Sequence, residues 1–387
     1  GQNNLTLFSE ALHIQRSHLQ YHFWNVLLLL IHLNNIIIEQ IKMCFMHLEW
    51  RILLKTIKRV IAMLLCVMMI MSAFACRKDT DNSTVKITLS EVAHSIFYAP
   101  QYVSIELGYF EDESIDLNLV TGFGADKVMT ALVSKEADIG FMGSESSIYV
   151  YQEGSTDYAV NFAQLTQRAG NFLVSRDNET DFKWDNLKGR TVLGGRAGGM
   201  PQMLFEYILK KNGISPVDDL TILQNVDFGS TAAAFTSGIA DYTVEFEPSA
   251  TLLEQQKEGY VVASLGTDSG YVPYTAYCAN KSFIEKHPDV IQGFTNAIQK
   301  GLDYVNSHTS SEIAEVIAPQ FPETDLDTIT TIVDRYKTQD TWKGDTIFEK
   351  KSFELLKDIL KQSGELGSDV PYEKLVTTDY SKKAAGK

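Results

Sequence analysis

Cysteine and histidine are scarce in this chain. Its 387 residues include four cysteines, Cys44, Cys66, Cys76 and Cys278, and none stands with histidine at metal-ligand spacing, which excludes a structural zinc motif. Five of the eight histidines fall before residue 55, leaving only His94, His287 and His308 beyond it. No Ser-His-Asp constellation is in view, and Gly143-Ser144-Glu145-Ser146-Ser147 lacks the residue order of a nucleophile elbow. No lysine follows a glycine-rich loop in the P-loop pattern, so the chain does not read as a P-loop ATPase. Positive charge is also in deficit. Residues 1–76 carry 6 basic and 3 acidic side chains, and the remainder carries 28 against 46. Such a surface repels phosphate backbones, and nucleic acid is not an expected partner.

What is present begins with Val60–Ala75, a charge-free apolar run of 16 residues preceded by Lys55, Lys58 and Arg59. A basic stretch, an apolar stretch and the small residues that follow make a secretory signal. The run is shorter than the roughly 20 residues of a spanning helix. Cys76 directly after Ala73-Phe74-Ala75 resembles the lipidated cysteine of bacterial lipoproteins, although Ala73 stands where leucine is usual. Residues 55–75 therefore read as a lipoprotein signal, Cys76 as the lipidation site and 76–84 as a polar tether. An ordinary signal peptide or an uncleaved anchor is the alternative. Residues 1–54 read as translated upstream sequence or a mis-set start, with an additional membrane-associated segment as the alternative. Beyond Cys76 only Cys278 remains, so no intramolecular disulfide is expected in the mature chain.

From residue 85 the pattern alternates. Short apolar strands are expected at Val85–Leu89, Ile115–Val120, Ala137–Met142, Ala159–Leu165, Phe172–Ser175, Thr191–Leu193, Leu220–Leu223, Ala240–Phe246, Tyr260–Leu265 and Thr275–Ala279. Segments of helical spacing lie between most of them. This is an α/β pattern with parallel sheets, whose ligands bind beyond the carboxyl ends of the strands. Residues 85–170 and 275–387 are expected to form one lobe and 171–274 an inserted second lobe, with Thr166, Arg168 and Pro273 in the crossings as hinge candidates. A long helix is expected from Pro288, and the last twenty residues read as polar and partly loose.

Several motifs occur in a characteristic order. His94–Tyr98 precedes Pro100-x-Tyr102 and Gly108-Tyr109-Phe110; GFGADKVMTAL, ADIGFMG, WDNLKGRTV and the glycine-rich Gly194–Gly199 follow. Together they resemble the periplasmic-type solute-binding proteins of ABC importers, in the group serving nitrate, sulfonate and taurine and the pyrimidine precursor of thiamine. The resemblance runs from Val85 to Trp342. It implies a two-lobed periplasmic-binding-protein-like fold, each lobe a mainly parallel sheet flanked by helices, with the ligand cleft between the lobes. It implies a monomeric, extracytoplasmic, lipid-anchored receptor that delivers a small solute to a membrane permease and its ATPase. No catalytic residue, metal or cofactor is expected. The same fold family includes a eukaryotic enzyme that builds the thiamine pyrimidine from its own histidine and pyridoxal phosphate. That activity depends on a cysteine-rich motif, which is missing here. A sensory module without transport is a third reading.

The candidate ligand residues follow the strands. Gly122, Phe123 and Gly124 form a loop feeding a helix, where close backbone approach and free N–H groups favour an acceptor. Ser144, Glu145 and Ser146 repeat that arrangement; Glu145 either faces an amino group of the ligand or caps its helix. Arg196, Gly198 and Gly199 offer an oxyanion clamp or a solvated loop. Glu245 and Glu247 are a second acidic pair, with helix-start charge as the alternative. His94, Phe97, Tyr98 and Phe123 are candidates for stacking on a planar ring, with the core as the alternative for Phe97. The acidic set favours a nitrogenous planar solute over a bare oxyanion.

Overall fold

The computed structural model describes residues 32, 35–40, 42–43, 84–227 and 229–387. The signal, Cys76 and most of the tether lie outside the described residues. In the N-terminal unit, residues 35–40 are helical and Lys42 pairs with Glu39 at 2.8 Å. Among the described residues no helix is long and apolar enough to cross a membrane.

The unit from residue 82 holds two five-stranded sheets. The first contains β1 (Val85–Glu91), β2 (Ile115–Thr121), β3 (Ile139–Gly143), β4 (Ala159–Gln164) and β10 (Thr275–Asn280), in the order β2-β1-β3-β10-β4. The second contains β5 (Phe172–Ser175), β6 (Thr191–Leu193), β7 (Thr221–Leu223), β8 (Tyr242–Glu245) and β9 (Tyr260–Ser264), in the order β7-β6-β8-β5-β9. In each sheet four strands run parallel and one runs against them: β10 in the first, β5 in the second. The reversed strand is in both cases the one by which the chain arrives from the other lobe.

Burial follows the strand pattern. β2 is an edge strand with Ile115 buried and Asp116, Asn118 and Val120 exposed, the period of two that a half-covered strand requires. β3 and β10 are buried throughout, as central strands covered on both faces should be. The helix Pro288–Ser307 buries Ile291, Phe294, Ala297, Ile298, Leu302 and Val305, the stripe expected of a 3.6-residue period. It packs against Ala99–Glu106, where Ser104 Oγ donates to the carbonyl of Ala297 at 2.9 Å. Gly301 permits this approach, because a Cβ there would collide with the carbonyl of Pro100.

Two expectations need correction. The strand expected at Tyr260–Leu265 ends at Ser264, and Leu265 instead opens a short helix, Leu265–Ser269. The last twenty residues are packed, not loose. Val370, Leu375 and Val376 are buried, Val376 bridges to Asn161, and Ser381 Oγ donates to the carbonyl of Phe162 at 2.7 Å. This segment covers β4, which would otherwise expose an unpaired edge. Scattered apolar residues in a polar tail acquire meaning only against that edge.

Candidate functional site

A cavity of about 530 Å³ lies between the two sheets, at the carboxyl ends of their parallel strands. The first lobe contributes Tyr98, Gly124, Asp126, Glu145, Ser146 and Tyr149, and the second contributes Arg196, Gly198, Gly199, Met200, Glu245 and Phe246. Asn171 and Tyr274 come from the crossings, and Glu365 from the segment after the helix Lys350–Ser363.

Glu145 opens the helix Glu145–Gln152 and is 1% exposed. Its carboxylate folds back over Gly143, where a Cβ would occupy the same space. Oε1 accepts a 3.3 Å hydrogen bond from the backbone N–H of Met200 in the other lobe. Oε2 has no partner among the described residues. Burial pushes this carboxyl from 4.5 up to about 8, against the pull of the backbone N–H groups. Glu245, the last residue of β8, accepts from Thr243 Oγ1 at 2.6 Å and Thr231 Oγ1 at 3.0 Å. Burial pushes it up to about 7, the two hydroxyls opposing.

The cation of the cavity is already engaged. Arg196 Nη1 pairs with Asp126 Oδ1 at 2.7 Å across the lobes, with both side chains about half exposed. Tyr149 adds a further interlobe contact by donating to the carbonyl of Gly198 at 2.8 Å. Among the described residues the cavity thus holds Asp126, Glu145, Glu245 and Glu365 against Arg196 alone. Its lining among the described residues includes no lysine, histidine or cysteine.

Several sequence candidates stand elsewhere. His94 is held between Glu91 and the carbonyl of Gln320, each at 2.8 Å, and packs between the rings of Tyr102 and Phe321. Burial would lower its pKa, but the Glu91 and Gln320 hydrogen bonds keep it raised. Phe97 is fully buried among Tyr98, Phe246, Tyr274 and Tyr336. Gly122 packs over Val128, and Phe123 at φ +55° turns its ring outward, 56% exposed. Ser144 Oγ is spent on the carbonyl of Pro273 at 2.6 Å. Glu247 faces Arg335 at 2.7 Å and Thr251. None of these lines the cavity. In the crossings, Thr166 Oγ1 lies 2.6 Å from Thr275 Oγ1, and Arg168 donates to the carbonyl of Gly266 and sits over the ring of Tyr271.

Residues 96–311 match the family described as NMT1/THI5 like. The chain is 45% identical over 314 residues to the "Putative binding protein YtlA" of Bacillus subtilis (strain 168), covering 81% of this chain and 94% of that one. It is 24% identical over 249 residues to the 4-amino-5-hydroxymethyl-2-methylpyrimidine phosphate synthase of Candida albicans (strain WO-1), covering 60% and 71%. The ligand binding component of an ABC-type import system from Staphylococcus aureus, solved with zinc bound, superposes with a TM-score of 0.63 at 17% identity over 77% of this chain and 98% of that one. The two-lobed binding-protein fold is therefore the fold of this chain.

Proposed function

This chain belongs to the NMT1/THI5 like family, and from that premise we propose that it is the solute receptor of an ABC importer, taking a small nitrogenous planar molecule of the aminopyrimidine class by closure of its two lobes. The observation that carries the ligand class is the charge of the cavity. Four carboxylic side chains line it, one buried carboxylate oxygen is unpartnered, and Arg196 is already paired with Asp126. A carboxyl accepts from a ring amino group, and in its protonated form it donates to an acceptor beside that group. An oxyanion would meet the carboxyls of Glu145 and Glu245, and the N–H of Met200 is taken by Glu145. Tyr98, Tyr149, Phe246 and Tyr274 supply aromatic walls for a flat ring. Closure is favoured by whatever the ligand gains from touching both lobes at once. The crossings containing Thr166, Arg168 and Pro273 would serve as the hinge.

Binding is favoured over pyrimidine synthesis. His94 is locked outside the cavity, and among the described lining residues there is no lysine to hold an aldehyde cofactor. Cys278 is buried in the core, its thiol pushed up to about 12 by burial. Anchoring through Cys76 rests on the signal in residues 55–76. Labelled palmitate should enter the wild type and not Cys76→Ala; label in the variant removes the anchor from this reading.

The ligand class is tested by calorimetry and thermal shift against 4-amino-5-hydroxymethyl-2-methylpyrimidine, taurine, an alkyl sulfonate and nitrate. A specific ligand raises the melting temperature with its concentration. The pyrimidine alone should do so. Stabilisation by a sulfonate or nitrate that survives Glu145→Gln would reverse the assignment and make Arg196 the leading ligand residue.

A further inference from the structure

Two residues that line the cavity each carry a buried polar atom without a partner among the described residues, Glu145 Oε2 and Asn171 Nδ2. Asn171 is 1% exposed and lines the cavity, and its Nδ2 has no hydrogen-bond partner among the described residues. Its Oδ1 accepts from Tyr274 OH at 2.6 Å, the amide orientation that gives the phenol proton an acceptor. Tyr274 is 2% exposed, lines the same cavity, and is fixed edge-on to Phe97 at 5.6 Å. The side chain of Asn171 is therefore held in place while one of its two polar atoms is left without a use. A buried amide N–H without an acceptor is a destabilising feature that folding rarely tolerates without a purpose.

The location sharpens the point. Asn171 immediately precedes β5, and Tyr274 immediately precedes β10, the two strands by which the chain arrives in each lobe. Their hydrogen bond joins the two crossings at the cavity wall. An atom bound to Asn171 Nδ2 thus touches the part of the molecule about which the lobes turn.

We infer that Asn171 is a ligand-contacting, specificity-determining residue whose Nδ2 donates to an acceptor atom of the solute, a ring nitrogen in the aminopyrimidine class, with Tyr274 as its positioning residue. This rests on reading the cavity as the solute site. It adds a requirement that the carboxylates alone do not make: the ligand carries an acceptor besides the donors that Glu145 and Glu245 accept. An arylamine with no ring nitrogen satisfies the acids and leaves Asn171 empty.

The test uses two probes of nearly equal shape, 4-amino-5-hydroxymethyl-2-methylpyrimidine and 2-amino-4-methylbenzyl alcohol, which keeps the substituents but has no ring nitrogen. Calorimetric Kd values are compared for wild type, Asn171→Leu, Asn171→Asp and Tyr274→Phe. Asn171→Leu should weaken the pyrimidine about 3- to 10-fold, the range of one neutral hydrogen bond, and leave the benzyl alcohol unchanged. Asn171→Asp, which keeps the shape and the Tyr274 contact but removes the donor, should lose at least as much. Tyr274→Phe should lose less, with the same bias. Equal losses on both probes, or no loss on the pyrimidine, overturn the inference. Should Asn171→Leu fail to fold by circular dichroism, Asn171→Asp decides alone. If the wild type binds taurine and not the pyrimidine, the ligand class fails but Asn171 is still judged. Its donor should then serve a sulfonate oxygen, and an unchanged taurine affinity in Asn171→Leu overturns it. A wild type that binds none of these probes overturns both.

Discussion

Glu145 and Glu247 occupy the same place in the two lobes. Each stands two residues beyond the strand that lies third in its sheet, β3 in the first and β8 in the second, and each is 1% exposed. Their fates differ because of one partner. Arg335, from the helix Leu326–Thr338, reaches Glu247 at 2.7 Å and Glu254 at 2.9 Å, while Thr251 supplies an N–H and a hydroxyl to the same carboxylate. Burial pushes Glu247 up and Arg335 pulls it back. Glu145 lines the cavity, with no cation beside it and no partner for Oε2 among the described residues. A repeated topology thus delivers one carboxylate to the framework and one to the cavity wall. The neighbour that decides between them is remote in sequence.

The largest way to break this contrast is to remove the partner. Arg335→Met leaves Glu247 buried and unpaired, which should destabilise the protein by about 3–5 kcal/mol. The expected result in urea unfolding is a lower midpoint with an unchanged slope. A loss below about 1 kcal/mol would put Arg335 in the class of exposed ion pairs and dissolve the distinction between the two acids.

The matching change in the other lobe should behave in the opposite way. Glu145→Gln removes a desolvated acid that nothing neutralises, so the empty protein should be no less stable. Pyrimidine binding at neutral pH should weaken by about 0.5–1.5 kcal/mol, the range for a hydrogen bond to a neutral group, because this carboxyl holds its proton up to about pH 8. The pH dependence carries the sign. Glu145 is raised from 4.5 to about 8, so the folded state keeps a proton that the unfolded chain releases. Its contribution is fully present below about 4.5 and is lost as pH rises toward 8. Glu245, raised to about 7, acts in the same sense. The melting temperature of the empty wild type should therefore fall between pH 5 and pH 8, and that of Glu145→Gln should fall less. Parallel profiles would mean that Glu145 is solvated in the open protein.

What was legible in the sequence follows from what is local. Phe172–Ser175 and Thr191–Leu193 lie where the apolar pattern puts them, and of the stripe Val128, Met129, Leu132 and Val133 expected to be the apolar face of the helix Ala125–Ser134, all but Val133 are buried. Tyr98, Gly124, Glu145, Ser146, Arg196, Gly198, Gly199 and Glu245 reach the cavity because most of them sit at or just beyond strand ends, where a parallel sheet gathers its ligands. Asn171, Tyr274 and Glu365 were not legible. The first two lie in crossings that carry no periodicity, and Glu365 arrives from a segment that follows the last long helix. Phe97 and Glu247 share the residue types of the site, but their surroundings are assembled from Tyr336 and Arg335, well over a hundred and some ninety residues away respectively.

The smallest expected effect bears on how the two lobes meet. Arg196 and Asp126 join them at 2.7 Å, but 48% and 54% of their side-chain surfaces remain in contact with solvent. Exposed ion pairs contribute about 0.2–1 kcal/mol, screened by salt over a Debye length of about 8 Å at physiological ionic strength. If the pair only helps hold the closed form, Arg196→Ala and Asp126→Asn should each weaken pyrimidine binding by no more than about fivefold. The double variant should be no worse than either single one, because one interaction is lost once. Raising the salt should shrink the wild-type advantage. If Arg196 instead clamps an oxyanion, its loss removes a bidentate contact to the ligand, the effect exceeds that of Asp126→Asn, and the two changes cease to overlap. The cycle thus separates a latch between lobes from a contact to solute, using the one cation that lines the cavity among the described residues.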